Sequence, residues 1–264
     1  MALFPPEHLN AVVSVEERAG KGFRHIATGF LVSFCAGGGA WKGKDPYRIF
    51  LVTNRRVFEK RKRVDLRFDT ARREPKRIQV DLVDKKGKKN WFEHHEAKVD
   101  IAVIPVEVSG IGEKNIGEHT FLEEGMAFKE DIKKFGITHG DEVYVLGFPT
   151  GLAGKGKDYA IVRSGIIARL DDEILDKESS YLIDSYVSAG SSGGPVVLKP
   201  VYYSIWGTEA VNKAFLMGVV GSYIPYEKVT ISRKTRQPKT VLTENSGFAW
   251  VLPMDFVRDI VRGT

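Results

Sequence analysis

The sequence predicts an all-β protein, two packed antiparallel six-stranded β-barrels closed by a short C-terminal helix. Three observations carry that expectation. Nearly every strong pattern over the 264 residues is a short run of β-branched or aromatic residues bounded by polar or glycine-containing turns. The runs fall into two sets separated by a stretch without alternation, 107–139. Only the last ten residues show a clear helical stripe, with Phe256, Val257, Ile260 and Val261 on one face and Asp255 in the first turn.

In chain order, residues 11–15 (Ala-Val-Val-Ser-Val) read as a strand, 16–22 as a polar turn and 23–34 as a longer strand. Gly37-Gly38-Gly39 lacks the Gly-Lys-Ser/Thr of a phosphate loop and reads as a hairpin loop. Residues 48–53 form an apolar, β-rich run, and Ile78, Val80 and Leu82 alternate on one face of 77–82. Residues 99–106 give a strand with Asp100 near its start. The connection between modules falls at 107–139, with a short helix at 129–134, so the first barrel spans 1–138 and the second 139–264. The second module has strands at 142–149, 158–170, 180–187, 196–198, 215–224 and 247–252, with a polar excursion at 227–245.

Composition bounds the function. No apolar run approaches the length of a membrane span, and residues 1–12 have neither the basic start nor the apolar core of a signal peptide. Cys35 is the only cysteine, which excludes an intrachain disulfide and points to a reducing, cytoplasmic setting. The net charge of +6 is uneven: residues 55–89 hold 15 Lys/Arg against 6 Asp/Glu, a net +9 against −3 elsewhere. That segment reads first as a solvated edge hairpin guarded by cations, and second as a weak polyanion-binding face.

The chemistry concentrates at Gly190-Ser191-Ser192-Gly193-Gly194-Pro195. A serine nucleophile needs its hydroxyl held clear of backbone pairing and amide N–H groups converging nearby, and flanking glycines allow such a turn. The apolar run 181–183 leads in and 196–198 leads out. The turn also fits the Gly-x-Ser-x-Gly elbow of α/β-hydrolases, but that elbow opens a helix and precedes its histidine. Here Pro195 and two valines follow, and all six histidines come before Ser192. The remaining order, base then Asp then Ser, is that of double-barrel serine proteases.

Tested in that order, the candidates are residues 53–57 (Thr-Asn-Arg-Arg-Val), Asp100 and Ser192. With Thr-Gly-Phe-Leu-Val at 28–32, Leu-Val-Thr-Asn at 51–54, Val-Asp-Ile-Ala-Val at 99–103 and Gly-Asp-Glu-Val-Tyr-Val-Leu-Gly-Phe-Pro at 140–149, the chain resembles a trypsin-like, chymotrypsin-fold serine protease of the bacterial HtrA-like type. Ser-Gly-Ile-Ile at 164–167 and Gly-Phe-Ala-Trp-Val-Leu-Pro at 247–253 extend the likeness. No peptide-binding PDZ module follows in this sequence, so regulation by one is not carried over.

The resemblance implies a serine endopeptidase acting on proteins or peptides, without metal or cofactor. It assigns Ser192 as nucleophile, Asp100 as the acid orienting the base, and the N–H groups of Gly190 and Ser192 as the oxyanion hole. It places the primary specificity pocket beside Tyr186 and Val187 on one side and Val219, Val220, Gly221 and Ser222 on the other. No acid stands at the pocket floor, so small or medium apolar side chains are expected there.

The family's catalytic histidine is replaced by Arg56. Arginine offers five donors and no acceptor and stays protonated, so it cannot take the serine proton and return it to a leaving amine. Loss of the triad histidine costs on the order of 10⁶ in kcat. His94 and His95, just before Asp100, are the nearest substitutes in sequence, and would need a new path to Ser192. The alternative function is a pseudoprotease that binds a peptide or a polyanion without chemistry.

Overall fold

The computed structural model describes residues 4–35, 47–69, 75–108, 116–152, 159–205, 208–231, 236 and 238–263. The triple glycine at 37–39 lies outside them. A short helix α1 (Glu7–Asn10) precedes the first sheet, whose strands are β1 (Val12–Ala19), β2 (Gly22–Cys35), β3 (Tyr47–Thr53), β4 (Arg63–Asp69), β5 (Pro75–Asp81), β6 (Phe92–Glu93), β7 (Ala102–Pro105) and β8 (Phe121–Leu122). One turn of helix, α2 (Arg55–Phe58), follows β3, and α3 (Lys129–Phe135) lies in the connection. The second unit holds β9 (Glu142–Gly147), β10 (Ile161–Arg169), α4 (Asp172–Glu178), β11 (Tyr181–Asp184), β12 (Pro195–Leu198), β13 (Leu216–Ile231), β14 (Pro238–Pro253) and the final helix α5 (Met254–Arg262).

The second unit is a closed six-stranded barrel in the order β10-β11-β14-β13-β12-β9. The first is a curled sheet ordered β5-β4-β1-β2-β3-β7-β6, with β8 joining β2 in parallel. This is the expected double-barrel, chymotrypsin-like fold. It differs in detail from two closed six-stranded barrels: among the described residues the β5 and β6 edges do not pair, and the two-residue β6 and β8 raise the strand count.

Strand alternation sorts the core into three layers. Leu31 of β2, Leu51 of β3 and Ile104 of β7 point into the first sheet with Val64, Leu66 and Trp91. Their neighbours Phe30, Val32, Phe50, Val52 and Val103 point outward against Leu146, Val197, Leu216, Val219 and, from α5, Met254, Val257 and Ile260. Tyr181, Ile183, Val196, Met217, Val220 and Val251 fill the second barrel. The middle layer joins the two units through one continuous apolar contact, which fixes the cleft between them.

The basic segment forms the edge hairpin expected of it, with β4 pairing β5 along its whole length from Arg63–Asp81 to Asp69–Pro75. Two departures from the expected elements have local causes. Residues 227–245 are mainly a paired hairpin: β13 and β14 run past the barrel in register from Pro225–Asn245 to Thr230–Thr240, and a register shift precedes the last pair, Ile231–Pro238. The β-branched residues Val229, Thr230, Ile231, Thr240 and Val241 favour extension despite the polar composition. Helix α4 was not expected; Asp171 caps it by accepting a hydrogen bond from the Ile174 N–H at 2.8 Å, while Ile174 and Leu175 anchor it to the barrel core. The expected helix at 129–134 and the C-terminal helix are present as α3 and α5.

Candidate active site

Arg56 is positioned by what surrounds it in sequence. Asn54 stays extended after β3 and the chain then turns through α2, with the Val57 N–H bonded to the Asn54 carbonyl at 3.1 Å. Val57 and Phe58 are buried, and the Phe58 ring meets Trp91 edge-on. With those two side chains inward, Arg56 is left at the cleft. Asp100 lies between fully buried Val99 and Ile101, so its carboxylate emerges on the cleft side. Its carbonyl accepts a hydrogen bond from Asn54 Nδ2 at 3.0 Å.

The two side chains meet. Asp100 Oδ1 accepts the Arg56 backbone N–H at 3.0 Å, and Asp100 Oδ2 accepts from Arg56 Nη1. Arg56 Nη2 donates to the Gly221 carbonyl across the cleft at 2.7 Å. Burial lowers the Arg56 pKa from the ordinary arginine value. The pair is not sealed from water: the side chains are 44% and 22% exposed.

The turn carrying Ser192 is tied to the same place. Gly193 N–H donates to the Val220 carbonyl at 2.9 Å, an oxygen that also accepts from Asn54 Nδ2 at 3.2 Å. Gly193 has φ +82°, and a Cβ there would overlap the Thr28 carbonyl and Thr53 Oγ1. Glycine is therefore required for both conformation and space. The Ser192 carbonyl accepts from the Thr28 N–H at 3.1 Å. Ser192 thus adjoins a residue packed directly against Thr53 and Asn54, two positions before Arg56.

The rest of the turn is pinned by its carbonyls. Thr150 N–H holds the Ala189 oxygen at 2.7 Å, and Thr28 Oγ1 donates to the Gly190 oxygen at 2.6 Å. Ser191 N–H returns to the Ser188 oxygen at 3.1 Å, and Gly194 N–H to the Ser191 oxygen at 3.0 Å. Among the described residues, the N–H groups of Gly190 and Ser192 and the Ser192 hydroxyl have no protein hydrogen-bond partner. The arrangement offers two unbonded amide donors beside a serine, with the Arg56–Asp100 ion pair held at the neighbouring Gly221 carbonyl.

One residue that holds this turn escaped sequence reasoning. His25, on β2, places Nε2 3.2 Å from the Gly190 oxygen and Nδ1 2.8 Å from Ser14 Oγ. A carbonyl only accepts, so Nε2 carries the proton and Nδ1 accepts from the Ser14 hydroxyl. Desolvation lowers the His25 pKa, with the Gly190 bond opposing it, which favours the neutral ring. No local signal marks His25, because its partners are 11 and 165 residues away.

His94 does not reach Ser192. Its ring is buried against His95 and Phe256, and Nδ1 accepts the Glu96 N–H at 3.2 Å. Donor atoms of His94, His95 and Glu96 lie within 4.8 Å of one another, but that hydrogen bond occupies one His94 lone pair. Of the expected pocket residues, Val187, Val219 and Val220 bury their side chains in the core. Tyr186 is exposed, with Arg163 over its ring, and Ser222 is exposed. The side chains of the three valines therefore pack in the core rather than toward the cleft.

The family model described as the trypsin-like peptidase domain matches residues 27–199. The chain belongs to this family. Among solved structures, this trypsin-like peptidase is similar to the MamO protease domain from Magnetospirillum magneticum in its apo form, at 12% identity over 96% of this chain and 97% of that one, with a TM-score of 0.52. That likeness concerns the fold. Similarity also extends to a serine-to-alanine mutant of Rv3671c from M. tuberculosis H37Rv in an inactive form, at 16% identity, TM-score 0.49, over 98% and 89% of the two chains. It extends to the HtrA-type protease AlgW, as a serine-to-alanine variant with a tripeptide, at 14% identity, TM-score 0.47, over 97% of this chain and 60% of that one. This chain therefore spans about three fifths of the AlgW chain. No curated protein matches the sequence.

Proposed function

We propose that this trypsin-like peptidase is a serine endopeptidase by descent whose general-base position is held by Arg56, so that proteolysis by the chain as written is strongly impaired. Ser192 is the nucleophile, Asp100 the triad acid, and the Gly190 and Ser192 N–H groups the oxyanion donors. Protein or peptide is the substrate class, and the chemistry calls for no metal or cofactor. The observation that carries the reading is the double engagement of the Asp100 carboxylate by Arg56, through backbone N–H and guanidinium, next to the Gly193–Asn54 contact. In a working triad that carboxylate orients an imidazole and stabilises it as it gains the serine proton. Here it neutralises a group that accepts nothing, and Ser192 keeps its proton.

The turn itself supports descent from a working site, because its geometry is costly to keep. Gly193 and Gly190 both sit at positive φ, and at Gly190 a Cβ would lie 2.6 Å from the Phe148 oxygen. The single, buried Cys35 fits a reducing, cytoplasmic location. Among the described residues no helix is long and apolar enough to cross a membrane. The test is hydrolysis of casein by Arg56→His, with Arg56→His/Ser192→Ala as control. The reading expects activity in the first and none in the second. A folded Arg56→His protein that cleaves nothing overturns it.

A further inference from the structure

We propose that the cleft of this chain binds the C-terminal carboxylate of a peptide in preference to an internal peptide bond. The proposal rests on the reading above that Arg56 stands in the base's place, and it concerns what the arginine does there. Five guanidinium N–H donors are available; one goes to Asp100 and one to the Gly221 carbonyl, so three remain on a half-exposed side chain. The turn that carries the Gly190 and Ser192 amide N–H groups and the Ser192 hydroxyl, all without protein partners among the described residues, is tied through Gly193 to the Val220 carbonyl, one residue from the carbonyl that Arg56 holds. Every one of these groups donates.

An internal peptide bond matches such a set poorly. Its carbonyl oxygen satisfies the amide pair, but its nitrogen presents an N–H and no lone pair toward the arginine, donor against donor. A terminal carboxylate replaces that nitrogen with a second oxygen. One oxygen takes the Gly190 and Ser192 N–H groups, and the other takes the guanidinium in a charge-assisted bond. The Asp100 charge is already offset by Arg56, so the ligand carboxylate meets a neutral pair whose remaining guanidinium N–H groups face it. The substitution that removes the base thus turns a cleavage site into an acceptor of chain ends. Protein fragments with new C-termini are the ligand class.

The experiment is fluorescence anisotropy with fluorescein-labelled tetrapeptides ending in Ala, Val, Leu or Phe, each made as the free acid and as the C-terminal amide. The native chain should bind at least one acid about tenfold more tightly than its amide. Arg56→Gln should abolish the difference, and Arg56→Lys should keep part of it, which separates lost charge from lost folding. Equal affinities, tighter amides, no binding by any peptide, or an acid preference unchanged in Arg56→Gln would overturn the proposal. Casein hydrolysis by Arg56→His is read separately: activity there without acid preference in the native chain defeats only this inference, and the converse defeats only the protease reading.

Discussion

Replacing Arg56 with alanine removes the guanidinium from two acceptors at once. The Asp100 carboxylate keeps the backbone N–H of residue 56 but loses its charged partner, and the Gly221 carbonyl loses a donor that bridges the two units. Breaking a fully buried ion pair costs about 3–5 kcal/mol, whereas exposed pairs contribute about 0.2–1 kcal/mol. With Asp100 22% exposed and Arg56 44% exposed, water reaches both, so the pair belongs between these limits, at about 1–2 kcal/mol. The Gly221 bond adds about 1 kcal/mol. Urea unfolding of the native chain, Arg56→Ala, Asp100→Asn and the double mutant isolates the pairwise part. The expected loss for Arg56→Ala is about 2–3 kcal/mol, more than half of it coupled to Asp100. Coupling below about 0.3 kcal/mol would refute the claim that Arg56 and Asp100 act as a unit.

Further outcomes follow from the same geometry. Gly193→Ala forces a Cβ against two backbone-anchored oxygens at φ +82°, so calorimetry should show a loss of more than about 3 kcal/mol, and a near-native melting temperature would contradict the packing of the turn. Burial lowers the pKa values of His8, His25, His94 and His119. The unfolded chain binds these protons first, so these histidines contribute stability that is full above the ordinary histidine range and lost as pH falls through it. Urea midpoints should drop between about pH 7 and pH 5, and His25→Phe should flatten that slope; an unchanged slope would remove His25 from the account. The basic segment has several cations already engaged, as in Arg61–Glu17, Arg77–Glu16 and Lys89–Glu93. Heparin binding should therefore be weak and vanish steeply with salt, and retention at high salt would show a dedicated site.

Much of the fold was legible because buried strands carry their own pattern. Phe30, Val32 and Phe34 alternate with Leu31 and Ser33, and all are buried because β2 is covered on both faces. The same logic marked 48–53 and 196–198. It failed where charge is mixed into strands: buried β4 carries Asp65 and Arg67 between its apolar residues, the outer β13–β14 hairpin is largely exposed and polar, and both pairings are set by cross-strand partners that no local window contains. Closure of the first sheet was likewise illegible, since it depends on whether two edges meet. At the site, residue types marked the turn at 190–195 and the base-Asp-Ser order, while Arg56 and Asp100 were singled out by the family resemblance of the motifs around them. The supporting contacts of Thr28, Asn54 and His25 were hidden, because each spans more than a hundred residues to reach the second unit. The side-chain directions of Val219 and Val220 were hidden for a related reason, as they follow from barrel register.

The central claim is that Ser192 lies in an intact nucleophile turn and lacks only a base. It is tested most directly by the rate of covalent labelling with a fluorophosphonate probe at neutral pH, read by intact mass on the native chain, Arg56→His, and Arg56→His/Ser192→Ala. Negligible labelling of the native chain, rapid stoichiometric labelling of Arg56→His, and none once Ser192 is removed are the expected results. Labelling of the native chain as fast as Arg56→His would contradict the claim, since a base other than residue 56 would then be at work.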